Sequence, residues 1–128
     1  MSSENNNDDE KKTLLVLISK GVSDRTQASN QSKALTMLKA HDTPYETIDG
    51  MDPHQRETRD ALFKTSGIRG SYPQFFFANK SGTMTYFGNF EKIENINELS
   101  SLPDDVLKDN PEVETWDRVF SNIVEKFD

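Results

Sequence analysis

Few side chains in this chain have the types and the spacing that catalysis or metal binding requires. The sequence contains no cysteine, which excludes thiol nucleophiles, disulfide exchange and cysteine-ligated metal clusters. The two histidines, His41 and His54, are isolated and lack a spacing such as His-x-x-x-His. Adjacent acids such as Asp104 and Asp105 are typical of solvated helix starts, and the glycines occur singly rather than in a phosphate-binding loop. We therefore predict no catalytic residue and no metal site.

The best-defined local feature is a turn and a proline followed directly by an apolar strand. From Arg69 to Phe77 the sequence reads Arg-Gly-Ser-Tyr-Pro-Gln-Phe-Phe-Phe. Gly70 and Ser71 are turn residues, whereas the three successive phenylalanines favour a buried strand. Pro73 lies where the turn ends and the strand begins.

Length and charge limit the classes of partner. The chain has 128 residues, which is enough for one domain with its own core. Its formal net charge of −7 at pH 7 argues against nucleic acid and against anionic membranes, both of which attract basic surfaces. The longest apolar run, residues 14–18, is too short to span a bilayer, and the first residues lack the pattern of a secretory signal. We therefore expect a cytoplasmic protein that binds neither nucleic acid nor membranes.

The elements that must position these residues follow an alternating order. Four segments have the length and apolar pattern of strands: residues 13–19, 43–49, 74–78 and 83–87. Three segments have the apolar period and the end residues of helices: from Ser23 or Asp24 to about His41, from Asp52 to Gly67, and from Asn89 to Leu99. The last two strands are joined by a turn rich in Asn and Gly, which predicts a hairpin. The predicted order is β-α-β-α-β-β-α.

The ends of these helices carry more specific expectations. Asp52 is expected to cap the second helix, with Pro53 at its first position and Gln55 completing a capping box. Gly67 is expected to end that helix in the left-handed conformation. Asn89 is expected to cap the third helix.

The two ends of the chain fall outside this order. Residues 1–12 are polar and mostly acidic or amide side chains, so we expect a disordered acidic tail before a domain over residues 13–100. Residues 101–128 predict a C-terminal helical extension, in which Pro111 opens a long amphipathic helix over residues 112–127. Its apolar residues recur at alternating steps of three and four: Val113, Trp116, Phe120, Ile123 and Phe127. The sequence leaves open whether this helix packs on its own domain or on a partner.

From about Thr13 to Leu99 the chain resembles a glutaredoxin, and more closely the SH3-domain-binding glutamic-acid-rich-like family, a cysteine-poor branch of the same fold. The stretches that carry the resemblance are Leu35-Thr36-Met37-Leu38, Pro44-Tyr45-Glu46, Tyr72-Pro73-Gln74-Phe75-Phe76 and Phe87-Gly88-Asn89-Phe90-Glu91. The resemblance implies an α/β, thioredoxin-like fold with a four-stranded mixed sheet and extra C-terminal helices. The proline-rich segment behind the family's name is missing, since a single proline precedes the third strand and no P-x-x-P spacing occurs.

The resemblance also implies a binding site. It implies a cis peptide bond before Pro73 and a groove in which the backbone groups of Tyr72 are free to pair with an extended peptide. The redox motif of glutaredoxins would lie near residues 28–31, where this chain has no thiol. Ser29 cannot replace one, because a hydroxyl without an adjacent base is a weak nucleophile. We therefore expect a non-catalytic, redox-inactive module without a cofactor, a monomer or weak homo-oligomer that binds a peptide or partner protein.

Two alternatives remain open at this point. Glutaredoxins hold glutathione with a lysine after the first strand, the backbone before the cis proline and a Gly-Gly-x-Asp turn. The matching positions form a partial glutathione or peptide site: Lys20, Ser71, Tyr72, Pro73 and Glu91. The first alternative is therefore a glutathione-binding protein or a weak glutathione-dependent transferase. The second is a structural subunit that assembles through its C-terminal helix.

Overall fold

The computed structural model describes residues 11–127. Over this range the chain forms an α/β domain with one four-stranded mixed sheet and five α-helices. The strands are β1 (Lys12–Ile18), β2 (Glu46–Asp49), β3 (Gln74–Asn79) and β4 (Met84–Gly88). The α-helices are α1 (Arg25–Ala40), α2 (Arg56–Ser66), α3 (Phe90–Leu99), α4 (Asp104–Asp109) and α5 (Trp116–Phe120), and a 3-10 turn (Pro53–Gln55) leads into α2.

The sheet has the order β2-β1-β3-β4, with β1 parallel to β2 and the other pairs antiparallel. The central strand β1 is buried on both faces, as its continuous apolar run predicts. Leu14, Val16 and Ile18 pack against α1, α3 and α5. Leu15 and Leu17 face the other way and pack against α2. The sheet thus separates two hydrophobic cores. The N-termini of α1 and α3 lie beside the turn that precedes β3.

Two of the predicted helix caps are confirmed. The side chain of Asp24 accepts a hydrogen bond from the Gln27 N–H at 2.9 Å, and Asn89 accepts one from the Lys92 N–H at 3.1 Å. Asp52 accepts one from the N–H two residues on, at 3.0 Å, but it caps the 3-10 turn, and α2 itself begins only at Arg56. The predicted left-handed residue at the end of α2 is also confirmed by its φ of 75°.

Two local expectations are wrong. The Gln55 side chain does not complete a capping box, because its position in the 3-10 turn brings its Oε1 within 2.8 Å of the Asp49 N–H at the end of β2. The second strand is shorter than residues 43–49 and begins at Glu46. Pro44 has no N–H to give to a ladder, which agrees with pairing that starts only after it.

The predicted long helix over residues 112–127 is wrong. Helix α5 begins only after Thr115, whose Oγ1 accepts a hydrogen bond from the Arg118 N–H at 3.3 Å, and it ends at Phe120. Beyond it the chain is extended enough for Ile123 to form a parallel bridge with Lys12 of β1. Two hydrogen bonds flank this bridge: the Lys12 N–H donates to the Asn122 carbonyl at 3.1 Å, and the Val124 N–H donates to the Lys12 carbonyl at 2.8 Å.

The apolar period that suggested a long helix reflects contact with the domain's own core. Trp116, Phe120 and Ile123 are buried against it. The Trp116 indole N–H donates to the buried Thr43 Oγ1 at 2.8 Å, and its backbone N–H donates to Ser100 Oγ at 2.8 Å. The final segment therefore packs on its own domain, which answers the question that the sequence left open.

The predicted disordered tail lies almost entirely outside the described residues, because residues 1–10 are not described. Its last member, Lys12, belongs to β1, where it pairs with Asn79 of β3. The first strand thus starts one residue before its predicted boundary.

Candidate functional site

The peptide bond between Tyr72 and Pro73 is cis, and this expectation is confirmed. Pro73 is buried, and a cavity of about 280 Å³ opens beside it. Residues from the start of α1, the turn before β3 and the start of α3 line this cavity: Asp24, Thr26, Gln27, Asn30, Ser71, Tyr72, Pro73, Asn89, Phe90 and Glu91. We term it the Pro73 groove.

The Tyr72 backbone is only partly available to a ligand. Its N–H donates to Gln27 Oε1 at 2.8 Å, so the expectation that both backbone groups are free is wrong. Gln27 reaches this N–H because it lies in the first turn of α1, at the end of the helix that faces the groove. Within residues 11–127 the Tyr72 carbonyl accepts no hydrogen bond, so it remains open as an acceptor.

Four of the five residues in the predicted partial site lie together. Ser71, Tyr72, Pro73 and Glu91 all line the Pro73 groove. Lys20 is exposed in the loop after β1 and does not line it; its backbone N–H donates to a side-chain oxygen of β2 at 3.1 Å. The cation expected from the resemblance is therefore missing from the groove wall.

Of residues 28–31, where the resemblance placed the redox motif, only Asn30 lines the groove. The groove is lined by Thr26, Gln27 and Asn30, since α1 begins at Arg25 and its first turn faces Pro73. Ser29 does not line the groove.

Side-chain amides that sequence reasoning missed hold the loops around the groove. Gln31 pairs with the backbone of Ser19 beyond β1: its Oε1 accepts from the Ser19 N–H at 2.6 Å and its Nε2 donates to the Ser19 carbonyl at 3.2 Å. Gln74 Nε2 donates to the carbonyls of Ile68 and Ser71 at 3.0 and 2.7 Å, which fixes the turn before Pro73. The sequence signal for both residues was an amide side chain within an otherwise apolar pattern: Gln31 lies on the apolar face of α1, and Gln74 begins the apolar strand β3.

The groove is negatively charged. Asp24 and Glu91 line it and both are exposed, whereas no lysine or arginine is among its described lining residues. Glu91 also acts on the neighbouring strand. Burial, and secondarily the charge of Glu91, raises the pKa of the Tyr86 phenol above its ordinary value.

A larger cavity, of about 480 Å³, lies between β4 and residues 111–119. Its charges compensate one another: Lys92 Nζ lies 3.5 Å from a Glu114 carboxylate oxygen and 4.8 Å from the centre of the Phe87 ring. The Arg118 guanidinium donates to three backbone carbonyls, at 2.6 to 3.0 Å. These contacts hold the final segment against the sheet and involve three of the four charged side chains that line this cavity; the fourth, Glu112, is exposed.

Neither a scan of protein-family models nor a search of curated proteins finds a match. Among residues 11–127, no three His, Asp or Glu side chains are grouped closely enough to hold a metal ion. No helix in the same range has the length and apolar character needed to cross a bilayer. The Pro73 groove is the candidate functional site.

Proposed function

We propose that this protein is a redox-inactive, glutaredoxin-like interaction module, similar to the SH3-domain-binding glutamic-acid-rich-like family, which binds an extended peptide of a partner protein in the Pro73 groove. The observation that carries this proposal is a cavity of about 280 Å³ in which the starts of α1 and α3 meet the Tyr72 backbone. The mixed sheet with helices on both faces supports a thioredoxin-like assignment.

The backbone of Tyr72 offers a mode of binding. An extended peptide that lies beside the turn can donate an N–H to the Tyr72 carbonyl, as in other complexes where a peptide pairs with exposed backbone. A peptide carbonyl can reach the Tyr72 N–H only by displacing the Gln27 amide that holds it at 2.8 Å. Gln27 thus competes with the ligand for one of two backbone contacts.

The chemistry of the groove favours binding over catalysis. Its aliphatic hydroxyl groups belong to Thr26 and Ser71, its one phenol belongs to Tyr72, and neither histidine lines it. His41 lies instead at the end of α1, where its ring stacks on Trp116 at 4.0 Å. Among residues 11–127 no hydrogen bond joins the Thr26 or Ser71 hydroxyl to the carboxylate of Asp24 or Glu91. A hydroxyl that is not held by a base is a poor nucleophile, and the chain has no thiol.

The two alternatives receive less support. Glutathione carries two carboxylates, whereas the groove presents two carboxylates of its own and Lys20 does not line it. Assembly through an apolar ridge on the last helix would need exposed apolar side chains, but Trp116 and Phe120 are buried in the domain's own core.

A random-peptide display library selected on the purified full-length chain tests the proposal. Calorimetry on the selected peptides then compares Ser71→Trp, which fills the groove from an exposed position, with Ser101→Trp, an exposed position outside it. We expect Ser71→Trp to weaken binding by about tenfold or more and Ser101→Trp to leave it within about twofold. Equal binding to Ser71→Trp and the wild type, or no saturable peptide at all, would overturn the proposal.

A further inference from the structure

We infer that the peptide held in the Pro73 groove carries a lysine or arginine side chain beside the segment that pairs with Tyr72. This inference rests on the proposed function and names the class of ligand. Its basis is the combination, in one cavity, of two carboxylates that no basic side chain pairs with and hydrogen-bond acceptors that are not used within the described residues.

The two carboxylates of the groove have no basic partner within residues 11–127. Asp24 accepts a single hydrogen bond, from the Gln27 N–H through Oδ1, and neither Asp24 nor Glu91 forms an ion pair with a described residue. Lys92, the neighbour of Glu91 in sequence, is directed elsewhere and forms its ion pair with Glu114. The larger cavity beside β4 is lined by two cations as well as two carboxylates, whereas the groove has carboxylates alone, offset only by the helix N-termini at which they lie.

The hydrogen-bonding groups of the groove point to the same class of ligand. The Tyr72 carbonyl is open as an acceptor, whereas the Tyr72 N–H is already satisfied by Gln27. The carboxylates of Asp24 and Glu91 can only accept when ionised. A lysine ammonium and an arginine guanidinium supply several donors and no acceptor, and hydrogen bonds between charged partners are the stronger ones.

The net charge of the molecule acts in the same direction. At −7 it attracts cationic ligands at long range and repels anionic ones. Because both carboxylates are exposed, salt screens the attraction, so the affinity for a cationic peptide is expected to fall as salt rises.

Three sets of synthetic peptides test the inference with the full-length protein. The sets share one backbone sequence taken from the display selection and differ at two flanking positions, which carry Lys or Arg, Glu or Asp, or Gln. Asp24→Asn removes one charge and keeps a residue that caps a helix, and Glu91→Gln removes the other. Glu98→Gln is the control, an exposed acid on the same helix outside the groove.

We expect the wild type to bind the Lys or Arg set most tightly and the Glu or Asp set least tightly. Asp24→Asn and Glu91→Gln should each weaken the Lys or Arg set by about threefold to fivefold, with no comparable loss for the Gln set and none in Glu98→Gln. If the wild type bound all three sets with equal affinity and Ser71→Trp bound none of them, the charge inference would be overturned but peptide binding in the groove would still be supported. Binding that Ser71→Trp does not affect would overturn both.

Discussion

At the scale of single residues, glutamine side chains accept hydrogen bonds from backbone N–H groups that have no backbone carbonyl as partner. Gln27 satisfies the Tyr72 N–H, and Gln31 satisfies the N–H of Ser19, a residue that is only 4% exposed. Within the described residues the buried Gln74 Oε1 has no hydrogen-bond partner, although its amide nitrogen makes two hydrogen bonds. These amides fix the loops that shape the Pro73 groove, because a buried polar backbone group without a partner is costly.

Replacing these amides should have different consequences. In Gln31→Ala the buried Ser19 N–H loses its partner, and we expect the free energy of unfolding to fall by about 2 kcal/mol. In Gln27→Ala, water in the groove can take over at Tyr72, so we expect a loss of about 1 kcal/mol or less and tighter peptide binding. Urea unfolding and calorimetry measure both effects. Weaker peptide binding in Gln27→Ala would contradict competition at the Tyr72 N–H.

Tyr86 predicts a pH dependence in the alkaline range. Burial and the charge of Glu91 raise the pKa of its phenol above the ordinary value of 10.0, so the folded protein retains the proton better than the unfolded chain. The corresponding stability is complete below the ordinary value and is lost as pH rises through the raised one. We expect Tyr86→Phe to lose less stability above pH 10, measured by urea unfolding.

A tyrosinate absorbance titration separates the two causes of this shift. Glu91→Gln should lower the pKa of Tyr86 only in part, because burial is the larger cause. The Tyr86→Phe variant identifies this residue among the three tyrosines. An unchanged titration in Glu91→Gln would show that the carboxylate does not act on the phenol.

At the scale of elements, the sequence predicted those helix ends that are determined by interactions between residues close together in the chain. The start of α1 at Asp24, the end of α2 at Gly67 and the start of α3 at Asn89 each depend on hydrogen bonds or dihedral angles within a few residues. The final segment depends on distant partners instead. The Trp116 side chain is hydrogen-bonded to Thr43, and Ile123 forms a β-bridge with β1. Neither contact can be predicted from the spacing of apolar residues within the segment. The apolar residues at alternating steps of three and four therefore predicted a long helix, whereas α5 spans only Trp116–Phe120.

The docking of this segment can be tested at one hydrogen bond. In Thr43→Val the buried Trp116 indole N–H loses its acceptor, and we expect the free energy of unfolding to fall by about 2 kcal/mol. Thr36→Val is the matched control, because the Thr36 hydroxyl is exposed and bonds only within α1. Fluorescence of the chain's single tryptophan follows unfolding in urea. Equal losses in the two variants would contradict this account of docking.

At the scale of the whole molecule, a chain without thiols forms a groove where the starts of two helices meet a proline turn. The sequence placed this groove at Pro73 and included Ser71, Tyr72 and Glu91 in it. Lys20, which the resemblance also implied, is not among the lining residues, whereas Gln27, which was not expected, is. The positions of both depend on how the loop after β1 leads into α1. The charge of the groove likewise became apparent only when Asp24 and Glu91 were brought to one cavity.

Two-dimensional amide NMR of the labelled full-length protein, titrated with a lysine-bearing peptide from the selection, tests the central claim most directly. We expect saturable shift changes at the backbone amides of Ser71 and Tyr72, at the Gln27 side-chain amide and at the start of α3. The Gln27 response should accompany that of Tyr72, because the two groups share a hydrogen bond. Shift changes confined to β4 and residues 111–119, or none at saturating peptide, would contradict binding in the Pro73 groove.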